Sequence, residues 1–289
     1  MSDDGDTVQP YEMPDIDTPL SNPLGELAGI DWSSPNIARM YDWMMGGSAN
    51  FAADRHAAEA FEAEFPWIGD WAQANRAFLR RAVRTLVLEH GIEQFLDLGS
   101  GVPTVGNVHE IAQRENPAAR VAYVEIEPIA VYHARHMLAG NEQATVTQAD
   151  LRQPDDVLTA PGVAELLDFT RPVAVLAVAV LDIVGELDAA GLVARYRDAC
   201  PAGSAIVLSH GERTTLSDSE ANRFHHVSAQ QAATAHTWRT IDELRQVLDG
   251  YDLQAPGLVP TPQWRPEQPI DDARARQFNA YAAVGIIPT

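Results

Sequence analysis

The chain has 289 residues, 46% of them hydrophobic, enough for one large domain whose core needs no covalent staples. Its 41 acidic and 20 basic side chains leave a net charge of −21, so no nucleic-acid partner is expected, because a phosphate backbone is repelled on average. A lone cysteine, Cys200, rules out an intrachain disulfide, and no leader pattern opens the sequence. The longest apolar run, Val173–Leu181, is far short of the ~18 residues of a membrane span, so the expected setting is the cytoplasm, off the membrane.

Residues 1–32 read as an acidic arm. Eight acids and no base fall in the first 31 positions, with Pro10, Pro14, Pro19 and Pro23 among them and no helical or strand period. Residues 33–90 read as a helical cap. Pro35, after Ser33-Ser34, opens a helix carrying Ile37, Met40, Tyr41 and Met44 on one stripe, which Gly46-Gly47 breaks. A second helix is expected over about 54–64, stopping before Pro66. A third carries Phe78, Leu79, Ala82, Val83 and Leu86 and ends at His90-Gly91.

From 91 to 289 the rhythm changes. Strands are expected at 94–98, 120–125, 144–149, 172–180 and 204–209, with helices at about 104–114, 128–139, 154–168 and 187–199. This alternation predicts a doubly wound, mostly parallel α/β sheet covered by helices on both faces. The continuously apolar 173–181 run marks a central strand. Helices at about 217–233 and 240–249 precede two strand-like runs, 251–259 and 280–287, separated by a proline-rich stretch. The late pair is expected to add an antiparallel element at the sheet edge, for seven strands in all.

Three strand ends carry acids. The first is Asp97-Leu98-Gly99-Ser100-Gly101, between a strand and a helix, where glycines allow a sharp turn and the helix start offers free N–H groups. A dinucleotide fingerprint needs a third glycine at 104, where this chain has Thr104 after Pro103. That disfavours a nicotinamide-dependent oxidoreductase and fits a nucleoside with an amino-acid tail. The second acid is Glu125, 24 residues beyond Gly101, placed to accept from both ribose hydroxyls, with Ile126 beside it. Glu127 is expected to cap the next helix, whose first residue is Pro128. The third is Asp150, 25 residues further on, able to accept from an adenine amino group while Leu151 packs on the ring. Any one of these acids alone is an ordinary turn or cap; the series along one rim carries the signal.

In the cap, Tyr41, Asn50, Asn75 and Arg76 form a polar set. Arg76 is a candidate partner for a cofactor carboxylate, and Tyr41 or Asn50 for closing the pocket; the competing reading is that they tie the cap helices together. For catalysis the candidates are Asp182 and His210 at the fourth and fifth strand ends, with His109 in the first helix after the glycine turn. His225, His226 and His236 are too irregularly spaced for a metal site, and no metal is expected.

The motif series resembles class I, Rossmann-like S-adenosylmethionine-dependent methyltransferases. More narrowly, the chain is similar to an actinobacterial family of candidate methyltransferases with no assigned acceptor. That likeness rests on Ser34-Pro35-Asn36-Ile37-Ala38-Arg39-Met40-Tyr41-Asp42, the Gly46–Arg55 segment, Asn75–Arg81, the 95–110 region, Ala149–Arg152, Leu208-Ser209-His210 and Pro256–Pro266. It implies S-adenosyl-L-methionine as cofactor, with Gly99 and Gly101 at the methionine portion, Glu125 at the ribose and Asp150 at the adenine. It also implies a methyl acceptor, expected to be a small molecule. The family usually has aspartate where Glu125 stands, and His-Phe where this chain has Asp182-Ile183. A non-catalytic cofactor-binding regulator is the other functional reading of the same pocket.

Overall fold

The computed structural model describes residues 33–103, 106–185, 187–214, 216–232 and 236–289. The acidic arm expected at 1–32 lies outside the described residues.

Three helices lead: α1 (Ile37–Met44), α2 (Ala52–Glu64) and α3 (Ile68–His90). Asn36 caps α1, its side-chain oxygen accepting from the Ala38 N–H at 2.9 Å. Gly91 ends α3 in the left-handed region at φ +63°. The alternating part follows as β1 (Gln94–Leu98), α4 (Val108–Glu115), β2 (Arg120–Glu125), α5 (Pro128–Met137) and β3 (Ala144–Gln148). Next come α6 (Pro154–Thr159), α7 (Pro161–Ala164), β4 (Ala174–Val178), α8 (Ala189–Asp198) and β5 (Ala205–Gly211). The chain closes with α9 (Asp218–Ala232), α10 (Ile241–Val247), β6 (Asp252–Leu253), β7 (Val259–Pro260), a 3-10 turn (Thr261–Gln263), α11 (Asp272–Arg276) and β8 (Ala280–Ile286).

The sheet order is β3-β2-β1-β4-β5-β8-β6, with β7 also paired to β8. β1 to β5 run parallel, and β8 pairs antiparallel with β5 and with both short late strands. The expected doubly wound sheet with an antiparallel late element is present, as seven strands on the main path plus β7. Most boundaries fall within two residues of the expected ones, and three elements differ by more, for local reasons. The helix expected over 154–168 is two, because Pro161 has no N–H to continue it and Ala160 turns extended (ψ 135°). The run 251–259 is broken by a turn in which the Gly257 N–H donates to the Gln254 carbonyl (2.8 Å). The helix after the glycine turn starts at Val108 rather than 104, because Asn107 and Glu110 form a capping box there.

Strand residues alternate between two cores. Phe95, Val121, Tyr123, Leu176 and Val207 pack on the α3–α4 side, while Leu96, Val124, Val175 and Leu208 pack on the α6–α8 side. A third cluster joins cap to sheet domain: Met40, Phe61, Phe65 and Ile68 meet Phe224 of α9 and Trp238.

Polar ties fix how the cap sits. Arg39 is 2% exposed; its Nε donates to Asp54 Oδ2 at 2.8 Å and its Nη1 to Glu127 Oε1 at 3.1 Å. Glu127 also caps α5 as expected, accepting from the Ala130 N–H at 2.6 Å. Ser209 Oγ of β5 donates to Asn75 Oδ1 of α3 at 2.6 Å. Removing Arg39 leaves two enclosed carboxylates facing one another without their cation. Arg39→Ala is therefore expected to cost about 3–5 kcal/mol of unfolding free energy in urea titrations. A loss below about 1 kcal/mol, the value of an exposed pair, contradicts this reading of the triad.

Candidate active site

A cavity of about 530 Å³ opens where the C-terminal ends of β1 to β5 meet the cap. This is the rim at which open α/β sheets take their ligands. One half is built by β1, β2 and β3, and the other by β4, β5, β8 and the cap aromatics.

In the first half, Gly99 (φ +66°) and Gly101 (φ +68°) both occupy the left-handed region. A Cβ on Gly99 would overlap the Val180 methyl, so the tight turn there admits only glycine. The Gly99 and Ser100 N–H groups donate to the Val124 carbonyl at 2.8 and 3.2 Å, and the Gly101 N–H donates to Glu125 Oε2 at 2.7 Å. Glu125 Oε1 accepts from the Ile126 and Glu127 N–H groups at 2.8 and 2.9 Å. Three backbone N–H groups thus lock the carboxylate in place and leave one acceptor position open. Ile126 is 57% exposed at the cavity wall, the kind of apolar face a flat ring covers. Asp150 lines the wall while held by Arg152, whose Nη2 donates to its Oδ2 at 2.6 Å; that hydrogen bond pulls the Asp150 carboxyl below its usual range. Leu151 lies beside it, 6% exposed.

Asp97 closes the inner end. Burial raises its pKa to about 7, against the attraction of Arg76 and with the help of Glu125. Arg76 lines the same space, its guanidinium 5.9 Å from the Tyr41 ring centre. Tyr41 donates to the Ala72 carbonyl (3.1 Å) and accepts from Asn75 Nδ2 (3.3 Å), and both residues line the cavity.

Three sequence candidates are not brought to the cavity. Asn50 is turned away: its Nδ2 donates to Asp42 Oδ2 (2.8 Å) and the Gly47 carbonyl (3.0 Å), bracing the Gly46-Gly47 turn. In that turn a Cβ on Gly47 would overlap the Asp42 carboxylate, which burial raises to a pKa of about 6. The competing reading, a tie within the cap, holds for Asn50. His210 is 1% exposed behind the wall, its Nδ1 donating to the Gly211 carbonyl at 2.7 Å and its Nε2 accepting from Arg239 Nη1 at 2.6 Å. Burial lowers its pKa, and the neighbouring Asp182 carboxylate opposes that shift. A histidine so enclosed has no face left for a substrate. His109 is likewise internal, its ring Nδ1 2.8 Å from the Tyr123 hydroxyl.

Asp182 does line the cavity, 4% exposed, with Oδ1 enclosed and lacking a hydrogen-bond partner. The same cavity is lined by residues that sequence reasoning missed: Trp67, Trp71, Phe224, His236, Trp238 and Asn279. Phe224 packs with Trp238 at 4.4 Å between ring centres and stacks on Trp67 at 6.1 Å. These residues come from the α2–α3 junction, the first turn of α3, α9 and the segments before α10 and β8, and no local motif links them.

A parallel β3-β2-β1-β4-β5 sheet with an antiparallel strand beside β5, a glycine turn after β1 and acids at three strand ends define a class I S-adenosylmethionine-dependent methyltransferase. The chain belongs to the S-adenosyl methyltransferase family, whose family model matches residues 25–288. The crystal structure of a candidate methyltransferase from Thermobifida fusca YX is 37% identical, with a TM-score of 0.85 over 91% of this chain and 98% of that one. That of a DUF574 family protein from Streptomyces avermitilis MA-4680 is 35% identical, with a TM-score of 0.84 over 89% of this chain and 99% of that one. No curated protein matches the chain in sequence. S-adenosyl-L-methionine is the family's cofactor, and the residues present fit it: a tight turn with left-handed glycines at 99 and 101, followed by a fixed carboxylate at the end of β2.

Two outcomes follow from this geometry. Gly99→Ala is expected to abolish cofactor binding, read by calorimetry, because the added methyl needs both the Val180 space and a left-handed backbone. A cation bound beside Asp97 favours its carboxylate, so binding an ammonium-bearing cofactor releases a proton wherever the free protein holds one. Affinity is therefore expected to rise with pH up to about 7, by as much as tenfold per unit, and to level off above it. A flat affinity profile between pH 5.5 and 8 contradicts it.

Proposed function

We propose that this chain is an enzyme that transfers the methyl group of S-adenosylmethionine to a small organic molecule with a large apolar face. The carrying observation is the two-part lining of a single cavity: glycine turn and acids on one side, an aromatic wall with Asp182 on the other. In this reading Gly99, Ser100, Gly101, Asp97 and Arg76 hold the methionine end, Glu125 the ribose, and Ile126, Asp150 and Leu151 the adenine. Tyr41 and Asn75 brace the wall above. The cofactor supplies a methyl group on a sulfonium, transferred by in-line displacement to a nucleophilic atom of the acceptor. Alignment by the cavity walls does most of the work. Asp182, with a carboxylate oxygen free of partners, accepts the hydrogen bond of an acceptor O–H or N–H and takes its proton as the new bond forms. The sparse cysteine usage supports a cytoplasmic setting.

The test pairs binding with turnover. Glu125→Ala is expected to weaken S-adenosylmethionine binding by ~2–4 kcal/mol, on the order of 30- to 1000-fold, because it removes a charged acceptor. Asp182→Asn is expected to leave cofactor affinity unchanged and lower turnover by roughly 10²–10⁴-fold. His210→Ala is expected to lower the melting temperature with no selective loss of turnover. A methyl-donor consumption screen against small-molecule cell extract supplies the acceptor. Cofactor binding with no donor consumption in any fraction contradicts the enzymatic reading, and a normally binding Glu125 variant contradicts the site.

A further inference from the structure

The acceptor half of the cavity concentrates two kinds of unrelieved cost. Among the described residues, three non-glycine residues have left-handed backbones, and two of them, Ala179 (φ +53°) and Asn279 (φ +48°), line this cavity on either side of β5. Such strain persists where the surroundings enforce it, and it gathers at functional sites. Asn279 is also 2% exposed, yet both its Nδ2 and its Oδ1 lack a hydrogen-bond partner. Its backbone is fully engaged, the N–H donating to the Arg276 carbonyl (3.1 Å) and the carbonyl accepting from the Glu212 N–H (3.0 Å). Only the side-chain amide is idle. A buried amide with neither donor nor acceptor satisfied calls for a partner that the protein does not supply. Asn279 stands immediately before β8, where Ala280 pairs with Gly211 of β5, and Gly211 is itself cavity wall. Asp182, at the end of the neighbouring strand β4, adds a carboxylate oxygen with no donor.

Resting on the methyl-transfer reading above, we propose that Asn279 is the specificity-determining residue of the acceptor site, and that the acceptor is a planar aromatic or heteroaromatic molecule bearing an amide-type edge. The side-chain amide of Asn279 offers one donor and one acceptor side by side. A lactam or carboxamide edge, with its C=O and N–H adjacent, answers both at once. The flat body of such a molecule lies against Trp67, Phe224 and Trp238, and a hydroxyl or second N–H faces Asp182. A site built to bond a polar edge rejects an analogue without it, because the amide then stays buried and unpaired.

The cavity tryptophans report binding by fluorescence. With S-adenosylhomocysteine present, 2-quinolone, which carries a lactam edge, is titrated against 2-naphthol, which does not. The wild type is expected to bind the quinolone at least about tenfold tighter. N279G, N279D and N279L are expected to lose that preference, to within about twofold, while their affinity for S-adenosylhomocysteine is unchanged. N279G is expected to melt at or above the wild type, since glycine adopts φ +48° freely and carries no idle amide. A merely structural asparagine gives the opposite pattern, with N279G less stable and the quinolone preference retained, and that result overturns the proposal. Normal S-adenosylhomocysteine binding by the wild type with no quinolone preference also overturns it alone. Failure of the wild type to bind S-adenosylhomocysteine overturns the cofactor reading and this proposal together.

Discussion

The Arg39 guanidinium, enclosed between Asp54 and Glu127, is the contact on which the cavity depends. Two carboxylates from different parts of the chain are buried there, and neither is tolerable without the shared cation. Asp54 belongs to the cap and accepts from the Asn36 and Phe51 N–H groups, at 2.9 and 2.8 Å. Glu127 belongs to the sheet domain, two residues beyond Glu125 at the end of β2. One guanidinium therefore sets the height of the cap above the rim of β1, β2 and β3. Its two partners, Asp54 in the cap and Glu127 beside the rim, tie the roof of the cavity to the sheet at that point.

From that roof the division of the cavity follows. On the β1–β3 side three acids are held: Glu125 takes three backbone N–H groups, Glu127 caps a helix and Asp150 is clasped by Arg152. Such a surface is preorganised for one ligand and costs little to keep. The β4–β5–β8 side is not satisfied, with Asp182 and Asn279 carrying enclosed polar atoms without partners and two strained backbones beside them. A shared cofactor and an individual acceptor fit that contrast.

The alternating part of the fold was legible because period-2 strands and capped helices write themselves locally. β1 and β2 begin and end at the residues their patterns predict, and the glycine turn and Glu125 could be placed from spacing alone. Asn50 and His210 could not, because a buried polar residue and a ligand-facing one share the same sequence signal. What separates them is the partner: Asp42 for Asn50, and Arg239 for His210, 29 residues away. The aromatic wall was invisible for the same reason. Trp67, Phe224 and Trp238 come together only once the cap docks on α9, and Asn279 stands out only through its backbone angle and its idle amide.

In the proposed reading one cavity, roofed by the cap, takes the cofactor along β1–β3 and leaves its methyl-bearing end facing β4 and β5. A crystal structure of the protein with S-adenosylhomocysteine tests this most directly. The expected complex has the ribose on Glu125, the adenine between Ile126 and Leu151 near Asp150, and the homocysteine crossing Gly99 and Gly101, with its sulfur toward the Ala179–Asp182 segment. A nucleoside bound away from Glu125, or a sulfur pointing away from Asp182 and the aromatic wall, contradicts it.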